Sequence, residues 1–263
     1  MSFKNHVPVS LKRWARKAIN GTGTSARADA SPEKPFVDIL SENDVIIIKH
    51  CFPASDVLPD EGKPDPSSPR QSIENYQAVY REMRKTFAAQ PEKLFILWTL
   101  PPRHRLFEPA EGDKSGNAAR ATRFSEWLKG EFLHEDGPYP NIRVWDFRGI
   151  LLDAETDFLR PEFELNHRIP DSHPNRQANN VAGPVLAEYI VSTVGERYPE
   201  RDAVNVILLH HSTGKNVYNY PDGGLSAWFE THNAAAATKC LLSELWYPKE
   251  NNMPVHYYQK VCR

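Results

Sequence analysis

The sequence is poor in cysteine, in long apolar runs and in net charge. Three cysteines, Cys51, Cys240 and Cys262, are scattered over 263 residues. They are too few for a disulfide scaffold and too far apart for a four-thiolate zinc site. The longest strongly apolar run, Val45 to Ile48, is a strand's worth and far short of the ~18 residues a membrane span needs. Lys and Arg number 32 against 34 Asp and Glu, a formal net charge of −2. That balance excludes a generally basic nucleic-acid binder and an acidic disordered chain. There is no internal repeat and no low-complexity tract. Histidine, by contrast, is abundant at ten residues. It is the usual proton carrier near neutral pH and a common metal ligand.

Residues 1–35 differ from the rest. Lys4, Lys12, Arg13, Arg16, Lys17, Arg27 and Lys34 face only Asp29 and Glu33. Leu11, Trp14, Ala15, Ala18 and Ile19 suit one face of a short helix, and Asn20-Gly-Thr-Gly-Thr-Ser reads as a linker. This segment is expected to be a solvated basic extension, with a membrane-surface or nucleic-acid arm as the alternative. It lacks the roughly 7–15-residue apolar core of a secretory signal, so a cytoplasmic location is expected.

Residues 36–263 alternate strand and helix and are read as one domain. Asp44 to Lys49, Lys93 to Leu100, Asn141 to Phe147 and Asn205 to His210 read as short buried strands. Ser72 can cap a helix carrying Ile73, Tyr76, Tyr80, Met83 and Phe87. Ala118, Ala121, Phe124, Trp127 and Leu128 mark a second helix, and Val181, Val185, Leu186, Tyr189 and Ile190 a third. A glycine-rich loop and a final helix from Ala234 to Leu245 are expected to close the pattern. The alternation predicts an α/β fold, a three-layer α/β/α sandwich around a mainly parallel sheet. In such sheets function sits in the loops after the strand carboxyl ends. Those loops begin at Lys49, Leu100, Phe147 and His210, and three of the four exceed the usual span of about 2–6 residues.

Three of these loops carry chemistry. In Val206-Ile-Leu-Leu-His-His-Ser-Thr-Gly-Lys-Asn216 a buried strand runs straight into Ser212. A serine nucleophile needs that exposure, a base, and donors for the oxyanion; turn hydrogen bonds ending a strand would use the same residues. In Arg168-Ile-Pro-Asp-Ser-His-Pro-Asn175, Asp171 and His173 are two apart between two prolines. An aspartate on one imidazole nitrogen leaves the other as base, while an Asx turn with Asn175 capping the next helix is the structural alternative. In Ile48-Lys-His-Cys-Phe-Pro-Ala-Ser-Asp56, Ser55 and nearby amides suit an oxyanion, and Cys51 reads as a buried small residue at a strand end.

Strand-His-Ser-Thr-Gly, strand-Lys-x-Cys-Phe-Pro-x-Ser and Asp-Ser-His-Pro before a helix together resemble the SGNH (GDSL-like) hydrolase superfamily. The likeness is to a divergent branch in which His-His-Ser-Thr-Gly stands for Gly-Asp-Ser, and it covers about residues 36–260. The resemblance implies a flavodoxin-like sandwich. It makes Ser212 the nucleophile, His173 the base and Asp171 its orienting acid. In that superfamily the serine follows the first strand and the Asp/His pair comes near the end, so this chain resembles a circular permutation with residues 203–263 moved from front to back. The separate glycine and asparagine oxyanion donors are not plainly present; Gly223, Gly224 and Ser55 are the stand-ins, with the Ser212 amide.

The resemblance implies a serine esterase acting on short-chain acyl esters, acetyl foremost, on a carbohydrate, with no cofactor and no metal. His211, Asn216 and Tyr218 are placed with the substrate, and Tyr218, Tyr220 and Trp228 are candidates for stacking on a sugar. The expected partner is a small-molecule or saccharide ester, without nucleic acid or a membrane span. Two alternatives stay open. One is a metal-dependent hydrolase built on His210, His211, His167, Asp171 and His173, although adjacent His210 and His211 on a strand point to opposite faces. The other is a glycan-binding module that keeps the fold without the chemistry. His210 and His211 are expected to shape the surroundings of the nucleophile and His50 and His167 to support it from behind. His6, His104, His134, His232 and His256 are expected to have no chemical role.

Overall fold

The computed structural model describes residues 32–219 and 224–263. Residues 1–31 of the basic extension lie outside them, as do Tyr220 and Gly223. Lys34–Arg263 form one compact unit.

Five strands build the sheet: β1 (Val45–Ile48), β2 (Leu94–Trp98), β3 (Ile142–Trp145), β4 (Ala203–His210) and β5 (Lys239–Trp246). All neighbours are parallel, in the order β3-β2-β1-β4-β5. Eight helices are present among the described residues: α1 (Phe36–Glu42), α2 (Ile73–Ala88), α3 (Lys114–Lys129), α4 (Phe147–Leu151), α5 (Arg176–Arg197), α6 (Ser212–Asn219), α7 (Gly224–Asn233) and α8 (Pro254–Val261).

The period of two along each strand sorts side chains into two cores. Ile46, Ile48, Phe95, Leu97, Ile207 and Leu209 face one layer with residues of α1, α2, α3 and α8. Val45, Ile47, Leu94, Ile96, Val206 and Leu208 face the other with residues of α5, α6 and α7. The result is three layers, with the central strands β1 and β2 buried on both faces. Each fully buried Val, Ile, Leu or Phe stabilises by roughly 1.5–3 kcal/mol, and the central Ile46, Ile47, Phe95 and Ile96 are wholly buried.

Two helix starts follow the sequence. Ser72 Oγ accepts from the Asn75 amide, and Asn175 Oδ1 accepts from the Ala178 amide. One expectation needs correction. The segment read as a closing helix from Ala234 to Leu245 is instead a turn over residues 234–238 and then strand β5, which pairs with β4 from Ala203↔Lys239 to His210↔Trp246. The alanine run lies in the turn after α7, and the residues that follow are taken up by pairing at the sheet edge. In α5, Val181 and Val185 are exposed, whereas Ala178, Ala182, Leu186, Ala187 and Ile190 are buried; small alanines let that helix sit close to the sheet.

The chain fills the sheet in one direction from β1 to β3, then crosses to β4 and proceeds the other way. Reversal of direction under right-handed crossovers puts the two helix sets on opposite faces. It also opens a crevice beyond the carboxyl ends of β1 and β4, where the order switches.

Candidate active site

Both loops that leave this crevice are tightly fixed. β4 ends at His210, His211 follows, and Ser212 is the first residue of α6. The start of α6 packs close to the sheet only because residue 214 is glycine. A Cβ there would lie 2.4 Å from His210 Cβ and 3.0 Å from Lys49 Cδ. Lys49, at the end of β1, is wholly buried. Its ammonium donates to the His50 carbonyl (2.8 Å) and to Thr213 Oγ1. Burial pushes its pKa down to about 8. The sequence therefore bends sharply from strand to helix and leaves Ser212 half-buried at the rim of the sheet.

The Asp/His loop is braced as firmly. Glu164 and Pro174 form an isolated bridge. Asn175 Nδ2 donates to the Glu162 and Glu164 carbonyls at 2.8 and 3.1 Å. The wholly buried Glu164 carboxylate holds Arg105 at 3.0 Å and His167 at 2.7 Å. Ser172 Oγ accepts from the His104 amide at 3.0 Å, and the buried His104 ring reaches the Asn166 carbonyl at 3.1 Å. His104 was expected to have no chemical role; it is a buried clamp on this loop.

These two frameworks bring three distant residues together. Asp171 Oδ1 lies 2.6 Å from His173 Nδ1 and also accepts from the His173 amide at 2.9 Å. His173 Nε2 lies 3.0 Å from Ser212 Oγ. The hydrogen bond from His173 holds the Asp171 carboxyl below the usual range, against the opposing effect of burial. An ionised Asp171 accepts, so Nδ1 carries the imidazole proton and Nε2 is left to accept from the Ser212 hydroxyl. The His173 and Asp171 side chains keep 28% and 35% exposure, so solvent and substrate reach them. Phe52, in the 3-10 turn Phe52–Ser55, sets its ring edge-on to the imidazole at 4.8 Å between centroids. The amide of Ser212, first in its helix, has no intrahelical acceptor and is free to donate to an oxyanion.

Cys51, read from the sequence as a buried small residue at a strand end, also belongs to this site. Its thiol is buried, and Sγ lies 3.1 Å from Ser212 Oγ. The one available signal was its place three residues past the β1 apolar run, at the switch point.

The remaining expected site residues do other work. Ser55 is wholly buried and its hydroxyl donates to the Pro101 carbonyl at 2.5 Å, so that hydroxyl is turned away from an oxyanion. His211 is stacked on Trp246 at 4.2 Å and bonds the Pro248 carbonyl through Nε2. Burial pushes its pKa down to about 4, which keeps it neutral. Tyr218 bonds Ser226 and, with Trp228, packs against the second core rather than lining the relay. Gly224 is buried with φ of +66°, and a Cβ there would meet the Tyr218 carbonyl at 2.1 Å, so only glycine fits this close approach. Asn216 is one helical turn from Ser212 on the same face. His50 bonds Tyr80 at 2.8 Å and is pushed down to about 3 by burial. His210 bonds Glu244.

The cluster proposed for a metal is thus dispersed. His210 and His211 turn to Glu244 and Pro248, while His167 pairs with Glu164. No group of three His, Cys, Asp or Glu side chains is placed to hold a metal ion among the described residues. Nor, among them, is any helix long and apolar enough to cross a membrane. No family model matches the chain, and no curated protein or solved structure matches it either.

Proposed function

We propose that the protein is a serine esterase that hydrolyses short-chain acyl esters through an acyl-enzyme. The observation that carries this reading is the unbroken relay from Asp171 through His173 to Ser212, at 2.6 and 3.0 Å. Ser212 Oγ attacks the acyl carbon and His173 Nε2 takes its proton. Asp171 stabilises the imidazolium, and the Ser212 amide donates to the oxyanion. His173 then protonates the departing alcohol. Water, deprotonated by the same nitrogen, releases the acid and restores the serine.

The strand order supports membership of the SGNH superfamily as a permuted chain. Counting from β4 as first and β5 as second, the observed order β3-β2-β1-β4-β5 becomes the flavodoxin-like 2-1-3-4-5, with the serine after the first strand and the Asp/His pair after the last. Chain order is immaterial to triad chemistry, which depends on geometry. Acetyl on a saccharide remains the substrate suggested by that resemblance.

A fluorophosphonate probe and a p-nitrophenyl acetate assay test the reading together. Wild type is expected to be labelled and to release nitrophenol, with no effect of a metal chelator. Ser212→Ala should lose the label and roughly 10⁴-fold or more of kcat/KM. Activity that survives Ser212→Ala, or that a chelator removes, would overturn it. Glycan binding without turnover in wild type would favour the module that keeps only the fold.

A further inference from the structure

Three arginines are buried among the described residues, and two of them donate to protein acceptors, although Arg84 Nε is itself without a partner. Arg148 donates to Thr122 and to the Leu100, Ala118 and Asp157 carbonyls. Arg84 spends its terminal nitrogens on the Phe132 carbonyl, Glu135 and Asp136. Arg103 is 5% exposed, yet no protein group accepts from its guanidinium among the described residues, and its Nε and Nη1 are buried without a partner.

An unpaired buried cation is costly, by several kcal/mol in general, so its place matters. The Arg103 main chain is fixed, its carbonyl accepting from the Leu159 amide at 2.8 Å. Its Cζ lies 3.2 Å from the Phe107 ring centre and 5.1 Å from that of Phe52. Phe52 is the same ring that contacts His173, so a single aromatic side chain separates the guanidinium from the base. Lys114 and Asn117 line the small cavity beside it with Asp56. Asp56 already accepts from Asn117 at 2.8 Å and forms no ion pair with Arg103. Burial lowers the Arg103 pKa to about 10, so it remains charged at neutral pH.

We propose that Arg103 receives a carboxylate of the substrate, making carboxylate-bearing esters the preferred class. This rests on the esterase reading for turnover and on Arg103 alone for binding. Phe107 covers one face of the guanidinium, so an anion must approach in its plane. A flat carboxylate matches that fork and a tetrahedral phosphate does so less well.

The test uses the full chain and three arms. Calorimetry compares benzoate with inorganic phosphate on wild type, Arg103→Met and Arg103→Lys. Kinetics compares 4-acetoxybenzoate with its methyl ester. Thermal melting reports folding. Wild type is expected to bind benzoate more tightly than phosphate and to favour the charged ester. Arg103→Met should weaken benzoate about tenfold to hundredfold and erase the preference while keeping activity on the methyl ester. Its Tm should hold or rise, because an unpaired charge has been removed. If Arg103→Met melts early, Arg103→Lys carries the comparison, with an intermediate benzoate affinity expected. Equal benzoate binding by wild type and the folded variant overturns the proposal, as does tighter phosphate binding or an unchanged ester preference. Hydrolysis that persists in Ser212→Ala sinks the esterase reading instead and leaves the benzoate isotherms to decide on Arg103.

Discussion

At the carboxyl ends of β1 and β4, Asp171, His173, Ser212 and Cys51 converge within hydrogen-bond distances. At the amino ends, a groove of about 540 Å³ is lined by Glu42, Asn43, Asn205, Glu230 and Asn233 with the first residues of β5. The groove contains no histidine and no nucleophile paired with a base. An open groove and the reactive cluster therefore lie at opposite ends of one sheet. The contrast follows from topology. Direction reverses at β1 and β4, so loops there diverge and can be lengthened to carry reactive groups. The amino ends only receive chain arriving from helices.

The sharpest way to break this comparison is at the carboxyl end. Asp171→Asn keeps the shape but loses the acceptor that fixes the His173 tautomer. We expect kcat/KM on an acetyl ester to fall by about 10³–10⁴, with the Tm little changed. A loss under tenfold would mean that the relay is not the catalytic device.

A second test concerns the packing that supports it. Gly214→Ala ought to help a helix by up to ~1 kcal/mol on propensity. The added Cβ, however, meets His210 Cβ at 2.4 Å, an atom tied to the backbone of β4 that cannot swing aside. Overpacking of this sort costs ~1–3 kcal/mol, so sterics win. A lower Tm is expected, and activity should fall as Ser212 shifts; a raised Tm would refute the close approach.

These devices were unequally legible in the sequence. Ser212, Asp171 and His173 lie at strand and loop positions that patterning locates, because a buried run ending in polar residues marks the rim of a sheet. Four of the five strands were visible for the same reason. β5 was hidden: Lys239, Leu241 and Ser243 are exposed and only Cys240 is fully buried, so its pattern lacked the continuous apolar run of the centre. The roles of His104, Cys51 and Arg103 were also illegible. Each depends on a partner more than 60 residues away, Ser172 for His104 and Ser212 for Cys51, or on the lack of any partner, as for Arg103. Local pattern encodes none of these.

A third, smaller effect separates the ends by pH. Unfolded histidine takes up its proton near pH 6.5. Folded His50 and His211, buried behind the carboxyl-end loops, do so only near 3 and 4. Between those values the unfolded chain holds more protons, so stability falls as pH drops below about 6.5. The Tm is expected to decline from pH 7 to pH 5, and the slope should shrink in His50→Gln, whose amide can still bond Tyr80. A flat wild-type profile would mean that these rings are not held neutral.

The smallest expected effect is at the amino end, and it tests the contrast most directly. Glu230 is exposed on α7 and lines the amino-end groove. Replacing it by Gln removes a charge without changing shape, and such surface changes generally stay within about 0.5 kcal/mol. Because the length of β4 separates the groove from Ser212, kcat/KM should remain within about twofold, which is what 0.5 kcal/mol permits. A larger loss on an acetyl ester would show that substrate engages both ends of the sheet, and the division between the groove end and the reactive end would fail.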